Sequence, residues 1–205
     1  MNGSGPLRTA LAVALDAEGY HAGFEQVVAE GGTSGADRSG HLVAYTKLNL
    51  ARARRWNARM ELLPELQTGL PIRSPQTWLV LTEYWCGDAA QCCPAMVHLA
   101  ARTPGLQVRF VFRDEHPALM ELHLTRGARS IPKLLAIDDA SGAELFTWGP
   151  RPAAAQALVD RFLAAPKEVR DTEAMKEALH AWYAKDGCAA VQRELLALCV
   201  ASMPA

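Results

Sequence analysis

The sequence predicts an α/β fold: a four-stranded mixed sheet flanked by helices, with N- and C-terminal helical extensions. Three observations lead there. The run Trp78–Leu81 is short and continuously apolar, a strand–helix–strand pattern continues from it to Phe112, and two short strands separated by turn formers follow Lys133. A chain of 205 residues is long for one minimal domain and short for two, so a single core with helical additions is expected. The expected division is a helical N-terminal extension over 1–74, an α/β domain over 75–165 and a C-terminal helical extension over 166–205.

From Pro6 to Glu30 the apolar residues Leu7, Leu11, Val13, Leu15, Phe24 and Val28 recur at broadly helical intervals, interrupted near Gly19 and Gly23, which predicts one or two short helices. Glycine and small polar residues dominate GGTSGADRSG, and 31–40 is read as a flexible connection. His41–Leu63 is an amphipathic helix, with Leu42, Tyr45, Leu48, Leu50, Ala53, Trp56 and Met60 on one side and arginines on the other, stopped by Pro64, Pro71 and Pro75. Arg52, Arg55 and Arg59 share a side, with Lys47 and Arg54 nearby, and this patch is read as a solvated helix face.

Trp78–Leu81 suits a strand buried on both faces of a parallel sheet. Ala89–Arg102 reads as a helix and Gln107–Phe112 as a second strand, made parallel to the first by a right-handed crossover. His116–Thr125 is predicted as a helix ending at Gly127. Lys133–Asp138 and Glu144–Trp148 form an antiparallel hairpin across Asp139, Ser141 and Gly142. A helix over Pro152–Leu163 buries Ala155, Leu158, Val159 and Phe162. Two more, Thr172–Ala184 and Cys188–Val200, close the chain on either side of Gly187.

Half the residues are apolar and 21% are charged, which excludes a disordered or collagen-like class. The net charge of −1 supplies no field toward nucleic acid or an acidic membrane, and neither is expected as a partner. No stretch approaches the ~18 apolar residues of a membrane helix, and Leu11–Leu15 followed by Asp16 is no export signal. Five cysteines, Cys86, Cys92, Cys93, Cys188 and Cys199, are too few and too irregular for a disulfide scaffold, so a reducing, cytoplasmic location is expected.

The chemistry concentrates in TEYWCGDAAQCCP, Thr82 to Pro94, where the first strand gives way to a helix. A thiol at a helix N-terminus is stabilised as thiolate by unpaired amides and the helix dipole, making Cys86 the candidate nucleophile. Trp85 shields one side of it, and Gly87 leaves room for another backbone to approach. On Trp85, Cys86, Gly87 and Pro94 this segment resembles the active-site segment of the thioredoxin superfamily. Ser130-Ile131-Pro132-Lys133 resembles the turn whose cis proline packs against the active-site sulfur in that superfamily, and Gly149 is similar to its substrate-groove glycine. The resemblance implies a thioredoxin-like fold, with Cys86 catalytic and Trp85, Gly87, Ile131, Pro132 and Gly149 binding substrate. YTKLN at Tyr45 and LHAWYAKDG at Trp182 resemble a bacterial subfamily with helical extensions.

The departures shape the expected function. Ala89 stands where the resolving cysteine would be, and Asp88 places a carboxylate near the thiol, which raises its pKa. The acid that many thioredoxins bury six residues before the cysteine is Val80 here. Cys92 and Cys93 lie ~9–10 Å along an intact helix from Cys86, beyond disulfide reach, and are read as core thiols. Cys188 and Cys199 are read as core or surface thiols, with Cys188 the minor candidate for reaching Cys86. Cys92, Cys93 and His98 do not converge as metal ligands, Cys-Gly-Asp-Ala departs from the Cys-Gly-Phe-Ser of monothiol glutaredoxins, and His116 and His123 lack a serine or carboxylate partner. The reading is a monothiol redox protein without metal or cofactor, its partner a protein or low-molecular-weight thiol or disulfide. The alternative is a non-catalytic interaction module on the same fold.

Overall fold

The computed structural model describes residues 4–202 of the chain. Three helices come first: α1 (Ser4–Val13), α2 (Ala17–Ala29) and α3 (Gly40–Arg59). The centre of the chain runs β1 (Gln76–Thr82), α4 (Gly87–Arg102), β2 (Leu106–Phe112), α5 (Pro117–Glu121), β3 (Lys133–Asp138), β4 (Glu144–Trp148) and α6 (Ala153–Ala164). Two helices, α7 (Thr172–Asp186) and α8 (Ala189–Ala201), complete it. The sheet has the order β2-β1-β3-β4, with β1 and β2 parallel and β3 antiparallel to both β1 and β4. Trp78, Leu79, Val80 and Leu81 are wholly buried, as a central strand covered on both faces requires.

Three segments differ from the sequence expectation. The first helical stretch breaks at Leu15 rather than at Gly19 or Gly23. Leu15 leaves the helix to exchange two backbone hydrogen bonds with Phe110 on the outer edge of β2, at 2.9 and 2.8 Å, and Asp16 then caps α2 by accepting from the Gly19 amide at 2.7 Å. Gly23 sits inside α2 because a Cβ there would lie 2.6 Å from the Tyr84 hydroxyl oxygen. In the second segment, α5 spans five residues and stops well short of Gly127. The chain turns instead through Arg126 (φ 52°) and Gly127 (φ 77°), closing Thr125 against Ala128 in an isolated bridge. In the third, 31–40 buries its centre: Thr33 meets the Thr46 hydroxyl, and the Ser34 hydroxyl accepts the Tyr84 amide at 2.8 Å.

Both extensions enter the core of the sheet domain. Trp56, Met60, Leu66 and Leu70 from the N-terminal side and Leu179, Tyr183, Val191 and Leu195 from the C-terminal side belong to one hydrophobic cluster with β1, α4 and β3. Cys92 and Cys93, expected as core thiols, and Cys188 and Cys199, expected as core or surface thiols, are all buried and free.

Burial raises every thiol, with Cys86, Cys188 and Cys199 each pushed up to about 12 and Cys92 and Cys93 also raised. In the unfolded chain these groups ionise near ~8.5. Between those values the folded state holds more protons, so its stability falls as pH rises. The urea midpoint measured under reducing conditions should therefore drop from pH 8 to pH 10.5. Replacing Cys199 by alanine should make that decline shallower, by up to ~1 kcal/mol per pH unit above the unfolded pKa.

Candidate functional site

After β1 the chain passes through Glu83, Tyr84 and Trp85, and Cys86 then occupies the N-cap of α4 with extended backbone (φ −78°, ψ 115°). Its sulfur accepts a hydrogen bond from the Ala89 amide at 3.4 Å and donates one to the Ile131 carbonyl at 3.3 Å. The Ile131–Pro132 peptide is cis, and the hydrogen bond to the Ile131 carbonyl sets the sulfur against the proline turn that the sequence singled out. Only 7% of Cys86 is exposed. Burial, and then the Asp88 charge, push the thiol up to about 12, while the Ala89 and Asp88 amides and the Arg151 charge pull the other way. The expected lowering by the helix end is thus present but outweighed, because an enclosed sulfur loses more hydration as thiolate than two amides restore.

Asp88 is held in a close network. Its Oδ2 accepts from Arg151 Nη2 at 2.5 Å and Nε at 3.1 Å, and its Oδ1 accepts from the Tyr183 hydroxyl at 2.7 Å. Arg151 Nη1 donates to Gln156 at 2.8 Å, and the Cys92 thiol donates to the Tyr183 oxygen at 3.7 Å. One carboxylate therefore joins the first turn of α4 to the segment after β4 and to α7.

Of the other predicted site residues, Ile131 bonds the sulfur through its carbonyl, Gly149 packs on the Pro132 turn beside it, and Gly87 differs from expectation. Trp85 is half-buried beneath the Arg113 guanidinium, 4.9 Å from the ring centre. Gly149 (φ 111°) packs so closely on Pro132 that a Cβ would overlap the Pro132 carbonyl oxygen. At Gly87 the space expected for an incoming backbone is filled: His180 Cε1 lies 3.2 Å and Arg52 Nη1 3.8 Å from where its Cβ would be. Arg52 is accordingly not part of a solvated arginine face. The Cys188 thiol donates to the Gln91 carbonyl at 3.4 Å and is engaged there rather than at Cys86.

Sequence reasoning also missed Glu83, a fully buried acid much closer in sequence to Cys86 than Val80. Its Oε1 accepts the Asp114 amide at 3.0 Å, and burial raises its pKa. Its signal was a lone charge beside a buried strand. His180, Gln91 and Asn49 carried no chemical motif. Among the described residues no group of three or more histidine, cysteine or carboxylate side chains is arranged to hold a metal, and no helix is long and apolar enough to cross a membrane.

A protein-family profile described as Thioredoxin matches residues 35–175. That span begins before α3 and runs into α7, so it takes in the helix that supplies Arg52 as well as the sheet. No curated protein matches. Among solved structures, an HIV epitope scaffold is 18% identical with a TM-score of 0.61, over 95% of this chain and 97% of its own. A protein of unknown function from Pseudomonas aeruginosa is 17% identical with a TM-score of 0.52, over 94% and 95%. At these identities the two likenesses concern the fold alone.

Asp88→Asn removes a charge that opposes the thiolate and frees Arg151 to favour it. Alkylation of Cys86 at pH 8, followed by peptide mapping, should accelerate, roughly tenfold if the pKa falls by one unit. The same variant should lose about 2 kcal/mol of stability, since Arg151 is left without its partner in a mostly enclosed position. An unchanged alkylation rate would show that Asp88 does not control the thiol.

Proposed function

The chain belongs to the thioredoxin family, and from that premise we propose that it is a thiol-dependent redox protein working as a monothiol through Cys86. The observation that supports this best is the seat of the sulfur, between the Ala89 amide and the Ile131 carbonyl and against the cis Pro132 turn. In the forward step Cys86, as thiolate, attacks one sulfur of a substrate disulfide. The S–S bond breaks, a bond from Cys86 to that sulfur forms, and the other sulfur leaves as thiolate and takes up a proton. Ala89 offers no second sulfur. Release therefore needs an external thiolate that attacks the substrate sulfur, restores Cys86 and carries away the substrate as a new disulfide. Trp85, Ile131, Pro132 and Gly149 border the substrate, and the partner is a protein or low-molecular-weight thiol or disulfide in a reducing cytoplasm.

A second reading, a non-catalytic interaction module on the same fold, is favoured by one observation: the resting thiol is buried and pushed up to about 12. The pH dependence separates the two. Bis(hydroxyethyl) disulfide, a neutral probe, is incubated with the protein, and the mixed disulfide at Cys86 is quantified by peptide mass. For the redox reading its rate of formation should rise about tenfold per pH unit from pH 7 to pH 10 while the fold holds. A monothiol such as glutathione should then release it, and Cys86→Ser should abolish the adduct at that position. Absence of a Cys86 adduct at pH 10 in folded protein would make the module reading the correct one.

A further inference from the structure

Between α2, α3 and α4 the packing leaves a gap behind the turn that seats Cys86. Small side chains cause it: Ala17 from α2, Ala53 from α3 and Ala89 and Ala90 from α4 line the space where larger groups would close it. Tyr20, Phe24 and Phe110 complete the wall, and the enclosed volume is about 50 Å³. One water needs only ~10–15 Å³. Exposure grades along the gap. Asn57 is exposed and Ala17, His21 and Val97 are half-buried, which places the mouth there, whereas Phe24, Ala89, Ala90, Cys93 and Phe110 are buried and form the floor.

The floor carries polar groups that the protein leaves unpaired. Pro94, which also lines the gap, has no N–H, so the Ala90 carbonyl one turn before it lacks its helical donor. The Thr82 hydroxyl, which acts on both Tyr20 and Cys93, is fully buried and completes no hydrogen bond. An enclosed polar group without a partner is unfavourable, so a ligand that bonds one of these groups gains accordingly. Water suits the space poorly, because the rest of the wall is apolar and offers it few bonds. No lysine, arginine, aspartate or glutamate among the described residues lines the gap, which disfavours a charged occupant. An apolar body that displaces such water and brings one hydroxyl matches wall and floor together.

The same floor belongs to the seat of the nucleophile. The Ala89 amide donates to the Cys86 sulfur at 3.4 Å, and the Ala90 amide donates to the Cys86 carbonyl at 3.2 Å. Trp85, Ile131, Pro132 and Gly149 do not border the gap, so an occupant touches this turn without covering the exchange surface. The geometry points to an effector site for a small neutral ring bearing one hydroxyl, bound between α2, α3 and α4 and acting on Cys86 through Ala89 and Ala90. Since Cys86 is enclosed, a reagent reaches its sulfur when the first turn of α4 opens, and an occupant packed on the closed turn opposes that opening. The site does not depend on the redox reading.

Phenol, a neutral ring with one donor, is the probe. Titrated into isotopically labelled protein and followed by amide NMR, it should give saturable shifts at Ala89, Ala90 and Cys93. Anisole, which lacks the donor, should bind about fivefold more weakly. Ala53→Leu and Ala17→Leu fill the gap from two sides and should each abolish these shifts, with circular dichroism verifying the fold. At saturating phenol, alkylation of Cys86 by iodoacetamide, read by peptide mass, should slow severalfold in the wild-type protein and stay unchanged in the filled variants. Absence of saturable shifts at those amides, or shifts that persist in both folded variants, would overturn the site. Equal binding of anisole would reject the hydroxyl as part of the ligand, and Cys86 alkylation indifferent to saturating phenol would reject the effector role.

Discussion

Around Cys86 the structure depends on the contact of Asp88 with Arg151 and Tyr183. Three pieces of chain far apart in sequence meet on that carboxylate: the opening turn of α4, the segment following β4 and the last turn of α7. Enclosed ion pairs contribute little net stability compared with apolar packing, but losing one partner is costly because the other remains desolvated. The pair therefore acts mainly as a positional constraint. It brings α7 against α4, and with it His180 over Gly87. It also sets the electrostatics of the sulfur, since the arginine that would favour a thiolate is occupied by the carboxylate that opposes it.

How much was legible in the sequence follows the range of the interactions. β1 and β3 were readable because a central strand needs an unbroken apolar run, and Cys86 was placed at a helix N-terminus because that strand gives way to a helical pattern there; the Pro132 turn and Gly149 were singled out by family resemblance alone. α5 was overread: the apolar residues after His116 fit a longer helix, but two successive residues with positive φ close a tight turn at Thr125 and Ala128. Arg52 was placed on the solvent face because its spacing to Arg55 and Arg59 is helical. The clue lay in Asn49, one turn earlier on the stripe with Ala53 and Trp56, since a polar residue that is fully buried must bond to something. Its partner was the Tyr84 carbonyl, and no local pattern predicts that pairing.

The helical extensions change what the fold can do. Expected as helical additions to a single core, they share that core, and they supply side chains that bond to the segment leading into Cys86 and to α4: Asn49 to the Tyr84 carbonyl and Trp56 to Gln91 from α3, His180 to Gln91 and Tyr183 to Asp88 from α7. Ala89 removes the internal second thiol, and the same surroundings raise the pKa of the first. The chemistry of the sulfur is accordingly set by long-range contacts more than by its position at the start of a helix.

The antiparallel bridge between Leu15 and Phe110 also bears on how the protein behaves in a crowd. A sheet presents unpaired backbone groups along both outer strands, and these invite strands from other molecules. By spending a single residue on Phe110, the chain interrupts the outer edge of β2 with its own backbone at one position of seven, so a foreign strand meets an obstacle there that β4 does not carry. The residue that ends the first helical stretch therefore also breaks the continuity of an otherwise open strand edge, a local obstacle to strand-to-strand addition.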